Sequence, residues 1–213
     1  MAKKKKTQEK NAKTLSEAVG FSKIFSNEKL DFILGIVLLI ATVYVIMAMV
    51  SYFGTGQADQ SLLEEQRVGD WLNPGREFKN YCGSFGAIIA YTLMTVNFGL
   101  SAFVIPFFFI LVALQLMNAY RVNLLSWFFG LSILMIWCSV AFAKFLSPIC
   151  GFLIFNPGGK HGEYIVQQAE NLVGPPGLTA ILLIVAIIFL TVLSATTIKV
   201  IRKALNPVKY ITD

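Results

Sequence analysis

A single histidine, three cysteines and one glycine-rich segment are the residues of this sequence with types and spacing that could support chemistry. His161 lies in the segment Gly158-Gly159-Lys160-His161-Gly162, away from any cluster of cysteines or carboxylates. A metal centre needs several such ligands, so one imidazole predicts none. The segment resembles a phosphate-binding loop, but no strand precedes it and no Ser or Thr follows its lysine. We therefore expect no catalytic, cofactor-binding or metal-binding residue in this chain.

The three cysteines do not form a recognisable redox or metal motif. Cys82, Cys138 and Cys150 show no CxxC spacing, and their odd number does not suit a complete set of disulfides. Cys138 lies within a long apolar stretch, where cysteine is typically a small apolar residue. Cys82 and Cys150 both lie near ends of apolar stretches, where an oxidising compartment would permit a disulfide between them.

The composition indicates which elements must position these residues. Of the 213 residues, 56% are hydrophobic and only 14% are charged, and the mean hydropathy is +0.67. An ordinary soluble domain is about 45–50% apolar and about 25% charged. The chain lacks the polar residues to cover an apolar core of this size, and it is too apolar to be disordered. The elements are therefore predicted to be helices in a lipid bilayer.

Four stretches are long and apolar enough to cross a bilayer, which takes about 20 residues. They comprise residues 32–53, 85–120, 124–149 and 178–198. The second stretch would form a helix about 54 Å long at about 1.5 Å per residue, against a hydrocarbon core of about 30 Å. It is either one kinked helix or a tight hairpin near Gly99 and Pro106.

The distribution of charge decides between these alternatives. Of the 18 Lys and Arg residues, eight precede residue 32 and four follow residue 198. Because Lys and Arg flank cytoplasmic ends of membrane helices, both termini are predicted to be cytoplasmic. That requires an even number of crossings, so the second stretch is predicted to be one helix kinked at Pro106.

The predicted fold class is therefore an all-α integral membrane protein with four transmembrane helices. Residues 1–29 form a basic cytoplasmic tail, residues 30–200 the transmembrane domain, and residues 201–213 the start of a cytoplasmic linker. The second outer segment is expected to contain a short interfacial helix, with Ile165, Ala169, Leu172 and Val173 on its apolar face. The basic residues expected at the membrane surface are Lys3, Lys4, Lys5, Lys6, Arg202 and Lys203.

Polar and small residues within the spans indicate packing rather than transport. Lys144 is the only charged residue in a predicted span, and we expect its amine to reach the interface. This scarcity of buried charge disfavours a pump or an ion-coupled transporter. Two small-xxx-small pairs at the start of the second span predict a helix-packing face, within the chain or between copies. Its residues are Gly83, Gly86, Ala87 and Ala90, with Gly99 further along the same span.

The order of these and other short motifs resembles the four-helix N-terminal membrane domain of FtsK/SpoIIIE-type DNA translocases, over roughly residues 25–200. The second span carries Asn80-x-x-Gly83-x-x-Gly86-Ala87-x-x-Ala90-x-x-Leu93 and then Phe98-Gly99-x-x-Ala102-x-x-x-Pro106. The first outer loop carries Asp59-Gln60-Ser61 and Trp71-Leu72. The second outer segment carries Gly158-Gly159-x-x-Gly162 and Gly174-x-x-Gly177.

The resemblance implies a multi-pass protein of the bacterial inner membrane that acts in cell division and chromosome partition. Such a domain localises to the division septum, contacts other division proteins and tethers a hexameric ATP-driven motor. The implied partners are the bilayer, other copies of the chain and division proteins. ATP, magnesium and DNA would bind the motor domain, and this chain carries no Walker motif of such a domain. We therefore expect the chain to be either a fragment of a longer protein or a stand-alone membrane domain. The alternative function is a small multi-span transporter or channel subunit.

Overall fold

The structure, a computed structural model, describes residues 28–64 and 78–193. Within these ranges every regular element is helical, and four helices are long and apolar enough to cross a membrane. They comprise Glu28–Glu64, Gly83–Leu116, Leu124–Leu146 and Gly159–Thr191. The predicted four-helix membrane fold is therefore confirmed, whereas the side of the membrane on which each terminus lies stays a prediction. Trp71-Leu72, Lys3, Lys4, Lys5, Lys6, Arg202 and Lys203 lie outside the described residues.

The first helix, α1, spans Glu28–Glu64 and is longer than the predicted crossing of residues 32–53. Its 37 residues extend about 55 Å at about 1.5 Å per residue. Asp59-Gln60-Ser61, which we expected in a loop, lies on this helix. Residues 54–64 contain no proline and several good helix formers, and Gln60 Nε2 donates to Glu64 Oε1 one turn later at 2.8 Å. The polar sequence therefore ends the hydrophobic stretch without ending the helix.

The second span is one interrupted helix. It begins with α2 (Gly83–Ala90), widens into a π-helical stretch (Tyr91–Phe98), tightens into a 3₁₀ turn (Gly99–Phe103) and ends with α3 (Val104–Leu116). The structure places this departure from α-helical geometry before Pro106, which lies in the first turn of α3. Proline has no N–H and blocks the carbonyl four residues earlier, so the turn that precedes it is the one that adjusts.

The third and fourth spans both contain irregular turns. Helix α4 covers Leu124–Ala141 and continues as a π-helical turn over Phe142–Leu146. Helix α5 covers Gly159–Leu193 but breaks at Gly174, where φ is 74° and ψ is 164°, just before Pro175 and Pro176. Residues 159–173 are thus helical where we expected a short helix, and its position at the membrane interface stays a prediction.

The chain divides into two compact units. Of the described residues, the first unit contains 28–64, 78–93 and 102–135, and the second contains 94–101 and 136–193. In the first unit, α1 packs against α2 and α3. Ala48 of α1 and Ala87 and Ala90 of α2 are fully buried. A Cβ at Gly86 would lie 3.2 Å from the Cβ of Ala48, so the small-residue face is used within the chain.

The second unit has a small apolar core of Val140, Leu178 and Leu182. Ile165 and Ala169, on the apolar face of residues 159–173, pack against this core. Leu172, predicted on the same face, is 85% exposed instead. The face therefore contributes to the protein interior at one end and projects outward at the other.

Candidate functional site

Two irregular backbone segments touch each other in the second unit, and we call this contact the glycine crossing (residues 97–100, where the π-helical stretch passes into the 3₁₀ turn, and residues 157–159, which lead into α5). Gly99 and Gly159 both have positive φ, at 63° and 68°. The amide of Leu100 donates to the carbonyl of Pro157 at 2.8 Å. A Cβ on Gly99 would lie 2.1 Å from the Pro157 oxygen, and a Cβ on Gly159 would lie 2.1 Å from the Asn97 oxygen. Only glycine fits either position.

Helix α4 joins the glycine crossing through Ser139, which is fully buried. Its hydroxyl donates to the Gly158 carbonyl at 2.6 Å. A Cβ on Gly158 would lie 2.1 Å from the Ser139 carbonyl oxygen, and a Cβ on Gly162 would lie 2.3 Å from it. The structure thus brings together Gly99, which the sequence assigned to helix packing, and Gly158, Gly159 and Gly162, which it assigned to a loop motif.

His161 lies beside the same serine, and its geometry defines the role of its ring. His161 Nδ1 is 3.3 Å from Ser139 Oγ. Because the serine hydrogen is already directed to the Gly158 carbonyl, Nδ1 must be the donor in this contact. A histidine that activates a serine nucleophile would instead accept the hydroxyl proton. The ring also contacts Phe98 at a centroid distance of 4.9 Å, so the histidine packs and orients rather than activates.

The glycine-rich segment does not fit a nucleotide phosphate. A phosphate-binding loop presents free backbone N–H groups to its ligand. Here the amides of Gly158 and Gly159 donate to Asn156 Oδ1 and to its carbonyl, at 2.9 and 2.7 Å, and that of Gly162 donates to the Gly158 carbonyl. The backbone amides of this segment are therefore not available to a phosphate group. Among the described residues no group of three His, Cys, Asp or Glu side chains could hold a metal ion.

An ion pair that the sequence did not reveal joins α4 to α5. Lys144 Nζ contacts Glu170 Oε1, and the two side chains are 14% and 29% exposed. That the Lys144 amine reaches the membrane interface stays a prediction. The π-helical turn Phe142–Leu146 carries Lys144 on the part of α4 that packs against α5. The two residues are 26 positions apart, so only the tertiary fold brings them together.

Residues 79–82 lie along α1 in the first unit and are held there by a set of hydrogen bonds that we call the polar clasp. Asn80 is 4% exposed, and its Nδ2 donates to the Ala48 carbonyl at 2.9 Å. Its Oδ1 accepts the amide of Cys82 at 3.0 Å, which fixes the turn into α2. The Cys82 carbonyl in turn accepts the Tyr44 hydroxyl at 2.6 Å.

Two further side chains of α1 complete the polar clasp. Ser51 Oγ accepts the amide of Tyr81 at 3.0 Å, and Asp59 Oδ1 accepts the amide of Lys79 at 2.7 Å. Asp59 is fully buried, and its Oδ2 has no hydrogen-bond partner in the described part of the chain. The acidic residue of the first outer-loop motif thus acts by fixing the backbone that leads into α2.

We expect replacement of Asn80 by alanine to destabilise the first unit by about 1–3 kcal/mol, because it removes the buried donor to the Ala48 carbonyl and the acceptor of the half-buried Cys82 amide. Asn171→Ala, at an exposed position, should change stability by less than about 0.5 kcal/mol. Thermal unfolding of both variants in detergent measures the difference. Equal stability of the two variants would show that the polar clasp contributes nothing.

The other residues that the sequence analysis named, Gly83, Gly174, Gly177 and Pro106, lie at turns, at a helix break or beside a cavity. Gly83 has a φ of 65° and open space around it, so it makes the turn into α2 rather than a packing contact. Gly174 breaks α5 at positive φ, and a Cβ on Gly177 would come within 2.9 Å of Val173 across that break. An apolar cavity of about 220 Å³ lies between α1, α2 and α3. Pro106 is among its lining residues.

The three cysteines are free thiols in this structure. Burial raises the pKa of the Cys82 thiol above its ordinary value. A thiol with a raised pKa holds less thiolate at neutral pH and reacts more slowly. Whether Cys82 pairs with Cys150 in an oxidising compartment stays open, since this structure holds both as thiols.

The four spans, with side chains such as Ser139 and Asn80 bonded to the chain's own backbone, define this protein as a multi-pass helical membrane domain. The family model for the 4TM region of DNA translocase FtsK/SpoIIIE matches residues 28–205. The chain therefore belongs to the FtsK/SpoIIIE 4TM family, as its motifs indicated. Comparison with curated proteins and with solved structures gives no match.

Proposed function

We propose that this chain is the membrane-anchoring and septum-targeting domain of a cell-division DNA translocase of the bacterial inner membrane. The family match over residues 28–205 carries this proposal, and the four membrane-spanning helices support it. The domain would hold a hexameric ATP-driven motor at the site where chromosomal DNA crosses the closing septum. ATP, magnesium and DNA would bind that motor rather than the helices described here.

Anchoring would act by raising the effective concentration of the motor at the septum. A motor attached to a membrane domain at the septum samples a small volume, and such tethering can strengthen weak contacts many-fold without any new interface. The polar clasp and the glycine crossing suit this role because each fixes irregular backbone within its own unit. Copies of the chain would associate to match the hexameric motor. They would use lipid-facing surfaces, because the face of Ala87 and Ala90 is already buried against α1.

We expect residues 1–213 fused to a fluorescent protein to concentrate at midcell in dividing bacteria. The matched control is an unrelated four-span membrane protein with the same reporter, which should label the whole envelope evenly. Fluorescence microscopy gives the ratio of midcell to lateral signal for both fusions. An even distribution of the first fusion along the membrane would contradict septum targeting.

Tethering is tested separately from targeting. A translocase motor domain fused after residue 213 should move to the membrane fraction and support chromosome partition in cells that lack their own membrane-bound motor. The motor domain alone, at the same abundance, should stay soluble and leave DNA trapped at septa. If both versions partition chromosomes equally well, the four helices do not act as a tether.

A further inference from the structure

The loop between α4 and α5, residues 147–157, exposes large apolar side chains. Phe152 is 81% exposed and Ile149 is 76% exposed, whereas Phe155 of the same loop is only 5% exposed. The sequence contains no charged residue between Lys144 and Lys160. Loops that face water usually carry polar and charged side chains. An exposed apolar loop tip therefore indicates contact with lipid or with another apolar surface.

We propose that this loop inserts Ile149 and Phe152 into the lipid leaflet next to the C-terminal end of α4, as a preformed hydrophobic wedge. In the predicted topology this is the outer leaflet. The loop directly follows the π-helical turn Phe142–Leu146, where Phe145 is also exposed. The apolar surface of the span therefore continues into the loop without a charged residue to interrupt it.

Part of the loop backbone is already hydrogen-bonded within the chain. Irregular backbone enters lipid only at high cost unless its polar groups are bonded internally. The amides of Ile149 and Cys150 both donate to the Leu146 carbonyl, at 3.0 and 2.8 Å, and that of Leu153 donates to the Cys150 carbonyl at 3.0 Å. These successive turns lower the cost of moving the loop out of water.

The loop is also held in shape at its base. Asn156 Nδ2 contacts Ser147 Oγ at 3.4 Å and closes the loop, and the Pro157 carbonyl accepts the Leu100 amide of the glycine crossing. A preformed wedge loses little conformational freedom on insertion, because its side chains are presented on ordered backbone. The wedge thus depends on the same glycine contacts that organise the second unit.

Lipid fits this surface better than a protein partner. Protein interfaces surround their apolar centre with a polar rim and form about one hydrogen bond per 100–200 Å². The exposed tip of the loop offers Ile149, Phe152 and Ile154, while its polar side chains Ser147 and Asn156 contact each other. The tip therefore provides apolar contact without the groups that would orient a protein. This inference does not depend on the proposed function.

The test places a fluorescent probe on the wedge in a bilayer. Phe152→Cys, in a full chain whose Cys82, Cys138 and Cys150 are replaced by serine, is labelled with NBD and reconstituted at one copy per nanodisc. The nanodiscs contain phosphatidylethanolamine and phosphatidylglycerol. Lipids with a nitroxide near the headgroup should quench the probe at least threefold more than a probe at Ser61→Cys, an exposed polar position of α1 beyond the predicted crossing of residues 32–53. Ile149→Cys provides a second site in case the first variant folds poorly.

The control for lipid contact is Ile184→Cys on the exposed apolar surface of α5, which a deep nitroxide should quench. Quenching at residues 149 and 152 no greater than at residue 61, with residue 184 quenched normally, would overturn the proposal. A protein partner gives a distinct result. In that case a water-soluble maleimide would modify Phe152→Cys rapidly in nanodiscs but slowly in cells, and this outcome would also overturn lipid insertion.

Discussion

Gly99→Ala should leave little folded protein, with a loss of about 4 kcal/mol or more, at the upper end for a single substitution. Two effects add at this position. The left-handed conformation at φ 63° costs an L-residue about 1–2 kcal/mol. In addition, the new methyl group would lie 2.1 Å from the Pro157 oxygen, a contact with backbone that no rotamer change relieves. Gly159→Ala should behave alike, because its Cβ would meet the Asn97 oxygen at the same distance.

The matched control for these substitutions is Gly151→Ala. Gly151 belongs to the same unit and lies in the adjacent loop, but a Cβ there meets nothing within 4 Å. Unfolding of the three variants in mixed micelles gives the difference in free energy of unfolding, and the membrane abundance of each gives its consequence in cells. If Gly99→Ala and Gly151→Ala were equally stable, the glycine crossing would not hold the second unit together.

The sequence predicts the four spans well because their signal is local. About 20 consecutive apolar residues are enough to define a crossing, and the third predicted stretch, 124–149, ends within three residues of the observed Leu146. The sequence did not predict that α1 extends to Glu64, because hydropathy carries no signal for the end of a helix outside the membrane. Hydropathy reports where the membrane ends, whereas a helix continues through polar residues until its backbone is interrupted.

The glycine crossing illustrates what a single sequence cannot supply. Gly99 and Gly159 are 60 positions apart, and each by itself indicates only a close approach or a turn. Nothing local shows that they approach each other, because the contact depends on how the interrupted second span meets the loop before α5. The same limit applies to Asn80, whose burial against Ala48 depends on the tertiary packing of α1. Motif order predicted the family correctly, but the contacts had to come from the fold.

The ion pair between Lys144 and Glu170 is expected to show strong coupling in a double-substitution cycle. Lys144→Met leaves the Glu170 carboxylate partly buried without its counter-ion, and Glu170→Leu does the same to the amine. Breaking a fully buried pair costs about 3–5 kcal/mol. Since these side chains keep 14% and 29% of their exposure, we expect about 1–3 kcal/mol for each single variant.

The double variant Lys144→Met with Glu170→Leu should regain most of this loss, because two apolar side chains replace two charges and neither charge remains unpaired. Unfolding in mixed micelles for the parent, both single variants and the double variant gives the coupling energy, which we expect to exceed about 1 kcal/mol. Lys160→Met, at an exposed lysine in the first turn of α5, controls for the change in net charge and should be nearly neutral. Additive losses, with the double variant the least stable of the four, would show that Lys144 and Glu170 stabilise the chain independently, with Lys144 acting through the interface as its sequence position indicated.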